Sequence, residues 1–286
     1  MLAGDEYVVY IGIHLRYRLA SSFCLLYVVH VYPNFNFWYF FFSLQLHKLS
    51  SIPDTVFSIQ NLRILDLSGN NINSLPEEMS LLLNLKNLKC DNNKLLSLGP
   101  VEKLEKLQVL SAADNRLGAE NSSITLNTLK LPSSVKDLNL ASNNLQRIPS
   151  AIMSAKKLRI LNLSNNEIVS IPVEICLNFT DLAEFHLDRN LITSLPDEIG
   201  NLTKLKVLSL QSNQISGSTT PQPLPAALFT DTSIIDISLR GNTALSVSQL
   251  NDFDGFENFL ERRRKIKNKD LSGFDQLSGK YSCGLE

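Results

Sequence analysis

Cysteine is scarce in this chain of 286 residues. Its four copies, Cys24, Cys90, Cys176 and Cys283, stand far apart. No two of them form a C-x-x-C or clustered pattern, which argues against a disulfide framework or a zinc site and for a reducing compartment. Neither sign of charge prevails, with a net charge of −1. No global field therefore selects nucleic acid or anionic lipid. Motifs of catalysis are missing too: there is no G-x-x-x-x-G-K-S/T phosphate loop, no H-E-x-x-H and no G-x-S-x-G. His186 and Asp188 share a strand face, but no serine or cysteine context completes a triad. The expectation is a protein that is no enzyme and takes no cofactor and no metal.

Charge is absent altogether between Leu19 and His47, apart from histidine. Residues 1–43 also hold 13 of the 22 aromatic residues, including the run Phe37 to Phe42. Three readings of this segment are open. A membrane anchor through residues 19–46 would have Arg16 and Arg18 as its positive flank. Pro33, Asn34 and Asn36 interrupt it, however, and a membrane helix needs about 20 apolar residues. A cleaved secretory signal would carry an unusually long leader and no clear small-x-small site. The third reading is a stretch foreign to the natural protein, such as a wrongly assigned first exon, because most of it shares no periodicity with the rest of the chain.

Most of the remaining chain is periodic. Leu62-Arg-Ile-Leu-Asp-Leu-Ser-Gly-Asn-Asn-Ile72 has the form L-x-x-L-x-L-x-x-N-x-I, and this form returns with cores beginning at Leu62, Leu85, Leu107, Val135, Leu158, Leu182, Leu205 and Ile234. The Asn slot is filled by Asn70, Asn93, Asn115, Asn143, Asn166, Asn190, Asn213 and Asn242. Repetition at a fixed period of this length specifies a solenoid, in which each unit completes its core against its neighbours. A degenerate first unit is expected near residues 39–49, with His47 in the Asn slot.

Within each unit the L-x-L alternation predicts a short strand with one buried face. Each fully buried Leu contributes ~1.5–3 kcal/mol. An amide with both donor and acceptor suits the Asn slot, where the chain turns and backbone groups lie away from water; a buried ladder is expected. Five units then carry Ile/Leu-Pro (Pro53, Pro76, Pro149, Pro172 and Pro196), with an apolar residue three positions on. Proline suits the first position of a short helix, so short helical or 3₁₀ turns are expected on the outer face. The fold class is α/β, a curved horseshoe with a parallel sheet on its concave side.

These L-x-x-L-x-L-x-x-N units with LP-x-x-I segments resemble the leucine-rich repeat superfamily, and within it the intracellular Ras-group-like proteins. The resemblance covers about residues 44–250. It implies a concave sheet that binds another protein, and it transfers no catalytic residue. The tail Gly255-Phe-Glu-Asn-Phe-Leu-Glu-Arg-Arg-Arg-Lys resembles the end of small repeat-only cytosolic proteins.

Outward strand positions nominate Asp66, Lys89, Asp91, Asp114, Asn139, Asn162, His186, Asp188, Arg189, Gln211 and Arg240 as the partner-binding set. His186, Asp188 and Arg189 form the densest charged spot. A cation row at Arg63, Lys86, Lys136, Arg159 and Lys206 reads as ordinary solvated charge of this repeat position. Two inserts, one after Leu117 and one over Ser216–Pro225, read as surface slack on the convex side. Residues 251–270 read as a capping helix with a solvated basic tail, and 271–286 carry no ordering signal. The expectation is a cytoplasmic protein-interaction scaffold active in signalling, with no nucleic-acid partner. Two alternatives are a membrane-anchored, receptor-like recognition protein and a ubiquitin-pathway adaptor without its companion domain.

Overall fold

A computed structural model describes residues 16–19, 22–25, 40–45, 48–119, 129–217, 222–242 and 245–271. Strands β1 (Arg16–Leu19) and β2 (Ser22–Leu25) pair antiparallel. Among the described residues no helix is long and apolar enough to cross a membrane. His47 and the first half of the aromatic run, like most of the insert after Leu117, lie outside the described residues.

Nine strands then form one parallel sheet in strict chain order. They are β3 (Phe40–Ser43), β4 (Leu62–Asp66), β5 (Asn87–Lys89), β6 (Val109–Ser111), β7 (Asp137–Asn139), β8 (Ile160–Asn162), β9 (Glu184–His186), β10 (Val207–Ser209) and β11 (Asp236–Ser238). Register is uniform from β4 onward: Leu65, Leu88, Leu110, Leu138, Leu161, Phe185, Leu208 and Ile237 lie side by side. All eight are buried. A shift of one residue would expose this whole row, so the alternation fixes the pairing.

The return segments on the opposite side are short 3₁₀ turns, with two brief helices, α1 (Val173–Asn178) and α2 (Ala226–Thr230). Proline sits one residue earlier than the sequence suggests. Pro53, Pro76, Pro149, Pro172 and Pro196 are extended N-caps, with ψ between 135° and 156°. Each offers its carbonyl to the N–H three residues on, at 3.0–3.2 Å. The missing proline N–H is harmless at this position too, and the fixed φ aims the chain into the turn.

The C-terminal part of the second insert is not slack. Pro223, Leu224 and Pro225 are buried, and the Pro223 carbonyl accepts from the Leu195 N–H at 2.8 Å. Burial of Leu224 draws the segment back onto the preceding repeat. At the first insert, a Cβ on Gly118 would stand 2.2 Å from the Asn144 carbonyl oxygen. Only glycine fits that approach.

Helices α3 (Val247–Asn251) and α4 (Phe256–Leu271) close the C-terminal end. Phe256 and Phe259 pack on Phe229 of α2, with ring centroids 5.4 and 6.2 Å away. The basic run is therefore partly structural. Arg262 Nε donates to the Ile234 carbonyl at 3.1 Å and its Nη2 to the Phe229 carbonyl at 2.7 Å. Burial lowers the pKa of its guanidinium. Arg263 stacks over the Phe259 ring at 5.6 Å.

Candidate functional site

The concave face is built over an asparagine ladder. Each ladder Asn is buried. In Asn166, for example, Nδ2 donates to the Leu163 carbonyl of its own turn at 2.9 Å and to the Leu140 carbonyl of the preceding repeat at 3.1 Å. Its Oδ1 accepts from the Asn143 and Leu145 N–H groups at 2.9 and 3.0 Å. Asn70, Asn93, Asn115, Asn143, Asn190, Asn213 and Asn242 all reach the preceding repeat in the same way. No buried side-chain nitrogen or oxygen among the described residues is left without a partner.

The residue before each ladder Asn turns left-handed. Gly69, Asn92, Asp114, Ser142, Asn165, Arg189, Ser212 and Gly241 have φ between 51° and 80°. Only glycine adopts this conformation freely; Asn and Asp tolerate it. The row of Gly, Asn and Asp in this slot was the available sequence signal. It places Arg189 and Asp114 at turn tips, exposed, rather than on the strands.

The predicted binding residues divide by what holds them. Asp91 Oδ1 accepts from Ser111 Oγ at 2.6 Å and from the Ala113 N–H at 2.7 Å, both in the next repeat. Asp188 repeats this arrangement further along the sheet, with Ser209 Oγ and with the Gln211 N–H at 2.7 Å. Asp66 is buried at 4 % exposure; its Oδ1 takes the Ser68 N–H at 3.0 Å, and Gln45 donates to its other oxygen. Asn139 and Asn162 accept from the Ala141 and Ser164 N–H groups at 3.2 and 3.0 Å. Gln211 donates to Ser238 Oγ at 2.6 Å. These side chains stiffen the face. Lys89, Arg189 and Arg240 are exposed and join no ion pair among the described residues.

His186 Nε2 stands 3.5 Å from Glu184 Oε2. Asp236, two strands along, has its pKa raised by burial, against the opposing pull of Arg263 and His186. No group of three His, Cys, Asp or Glu that could hold a metal occurs among the described residues. Cys90 and Cys176 are buried free thiols. Burial, reinforced by Asp91 and Asp66, pushes the Cys90 thiol up. Cys176 is pushed up to about 12, mostly by burial and then by Glu198. Thiols so shifted are poor nucleophiles, and Cys90 serves the core, with its Sγ donating to the Ser111 carbonyl at 3.2 Å.

Parallel strands in chain order, 3₁₀ returns and a shared Asn ladder define a solenoid that presents one concave sheet. Its units are leucine-rich repeats. The patterns of two leucine rich repeat families match residues 156–215 and 61–82. The chain is 32% identical over 153 residues to human oligodendrocyte-myelin glycoprotein, which covers 53% of this chain and 33% of that protein. It is 26% identical to rat lumican over 83% of this chain and 60% of that protein. The chain thus spans from about a third to three fifths of the length of these curated relatives. Among solved structures, an LRR protein of Leptospira interrogans superposes with a TM-score of 0.61 at 29% identity, over 79% of this chain and 58% of that one.

Proposed function

We propose that the chain is a non-catalytic scaffold that takes a partner protein on its concave sheet. One observation carries this reading. Aspartates and asparagines of that face are tied to the adjacent repeat or to their own strand, so the surface is pre-organised, and exposed cations rise from it at Lys89, Arg189 and Arg240. A fixed surface loses little entropy on docking, which is where affinity is gained for a given area. From β4 to β11 the outward strand positions carry no Phe, Tyr or Trp, the anchors of very tight interfaces, so binding is guided by charge.

Signalling is the setting this reading favours, and the two free buried thiols support a reducing compartment. Capture from cell extract by the double variant Arg189→Glu, Arg240→Glu should fall about tenfold, near 1.4 kcal/mol, with an unchanged melting temperature. Equal capture by wild type and variant would count against this face. Fractionation of the full chain and of a chain lacking residues 1–43 tests the placement: recovery of only the full chain in carbonate-washed membranes would favour the anchored, receptor-like alternative.

A further inference from the structure

Two rows at the N-terminal edge of the sheet take no part in the hydrogen-bonded aspartate and asparagine face. The first is the cation row. Its backbone is a continuous ladder: the Lys86 N–H bonds the Arg63 carbonyl, Gln108 bonds Lys86, Lys136 bonds Gln108, Arg159 bonds Lys136, Ala183 bonds Arg159 and Lys206 bonds Ala183, all at 2.7–2.8 Å. These residues are therefore stacked at the sheet spacing of about 4.8 Å. Among the described residues Lys86, Lys136, Arg159 and Lys206 join no ion pair, and Lys156 and Lys157 add exposed charge just before β8.

The second row is the next position on each strand. In register it reads Ile64, Asn87, Val109, Asp137, Ile160, Glu184, Val207, Asp236. An aliphatic residue alternates with a polar or acidic one without a break, and all eight are half-buried on the solvent side. The aliphatic contacts thus recur every second strand, about 9.6 Å apart. An extended polyproline-type peptide repeats every three residues, about 9.3 Å. The two periods match.

We propose that this rim takes an acidic, extended peptide laid across the strands, with an apolar residue at every third position seated on Val109, Ile160 and Val207. The acidic residue that follows each apolar one faces Lys86, Lys136, Arg159 and Lys206. Backbone N–H groups of such a peptide have no internal partner. Asp137 and Glu184, standing between the aliphatic contacts, are placed to accept them. Single-stranded nucleic acid fits less well, since from β4 to β11 neither row offers a Phe, Tyr or Trp ring for base stacking. The inference rests on the concave sheet being a protein-binding surface, and it names the chemistry of the segment bound.

The test is fluorescence anisotropy of the full chain with a labelled peptide of Leu-Glu-Pro repeats, and with a peptide of equal composition whose leucines fall at every fourth position. The first should bind, weaken as salt is raised, and exceed the second at least about tenfold. Lys136→Glu with Arg159→Glu should weaken it by a similar factor, and Val109→Thr about threefold, with melting temperatures checked for each. Equal binding of the two peptides, or no response to these variants, overturns the proposal. Tighter binding of a heparin oligosaccharide that is indifferent to Val109→Thr overturns it in favour of a sulfated glycan. If neither peptide binds while Arg189→Glu, Arg240→Glu still lowers partner capture, the rim inference falls and the broader reading stands.

Discussion

Two polar rows run side by side through the solenoid, and they differ in how they meet the same need. The ladder row uses one residue, Asn, in eight successive repeats, and each copy bonds its own turn and the preceding repeat. The face uses Asp66, Asn139 and Asn162 at the last strand position and Asp91 and Asp188 two positions further on, in no fixed order. In the buried row only a side chain that donates and accepts in one geometry leaves nothing unpaired. On the half-solvated face any acceptor of the right length suffices, and water completes the rest. Uniformity therefore marks the fold, and variety marks the surface that is free to be individual.

The largest test of this contrast is Asn166→Leu. It strands the Asn143 and Leu145 N–H groups and leaves the Leu140 and Leu163 carbonyls with the single amides of Asn143 and Asn190, at a cost of about 3 kcal/mol. A urea midpoint within error of wild type would dissolve the distinction between the rows. Next in size is Arg262→Met. Beyond the last repeat there is no further turn to satisfy the Ile234 and Phe229 carbonyls, and Arg262 stands in for one. Its loss should cost about 2 kcal/mol, read as a lowered unfolding midpoint with an unchanged slope.

Asp188→Ala should cost less, about 1–1.5 kcal/mol, since Ser209 Oγ and the Gln211 N–H lie where water can replace the carboxylate. Asp188→Asn keeps an acceptor and should recover most of that by the same melt. If the alanine variant lost as much as Asn166→Leu, the face row would belong with the ladder.

How much of this was legible in sequence follows the same division. Leu65, Leu88 and Leu161 announce themselves by period two, and the Asn slot by its recurrence, because both are properties of the local repeat. The left-handed slot was readable only through its chemistry. Gly69, Asn92, Asp114, Asn165 and Gly241 suit positive φ, while Ser142, Arg189 and Ser212 in the same slot hide it. Three features depend on contacts that no local pattern encodes. Arg262 reaches a carbonyl 33 positions away, Leu224 folds onto the preceding repeat, and Asp188 is bonded to Ser209 and Gln211 rather than free for a partner.

The left-handed slot gives a smaller prediction of opposite sign. Arg189 holds φ at 53°, where a side chain costs roughly 1–2 kcal/mol; glycine there loses more entropy on folding, about 0.5–1 kcal/mol. Arg189→Gly should raise stability by about 0.5 kcal/mol. Gly241→Ala, whose Cβ would meet Ser212 Oγ at 2.8 Å, should lower it. The same sign for both changes would remove strain as the explanation of this slot.

The smallest effect separates the face residues from one another. Unlike Asp91 and Asp188, Asp236 accepts no hydrogen bond among the described residues, and burial raises its pKa despite Arg263 and His186. Ionisation is therefore harder in the folded chain than in the unfolded one. The stability associated with its protonated form is complete below the ordinary carboxylate pKa and is lost as pH rises through the raised native value. At pH 7 Asp236 thus opposes folding, and Asp236→Asn should raise the melting temperature slightly. In acid, below the ordinary carboxylate range, Asp is protonated in both states and the two proteins should melt together. Melting curves at the two pH values decide it: a gap that persists in acid would mean that the amide gains from packing, and a reversed gap would mean that Arg263 and His186 outweigh burial.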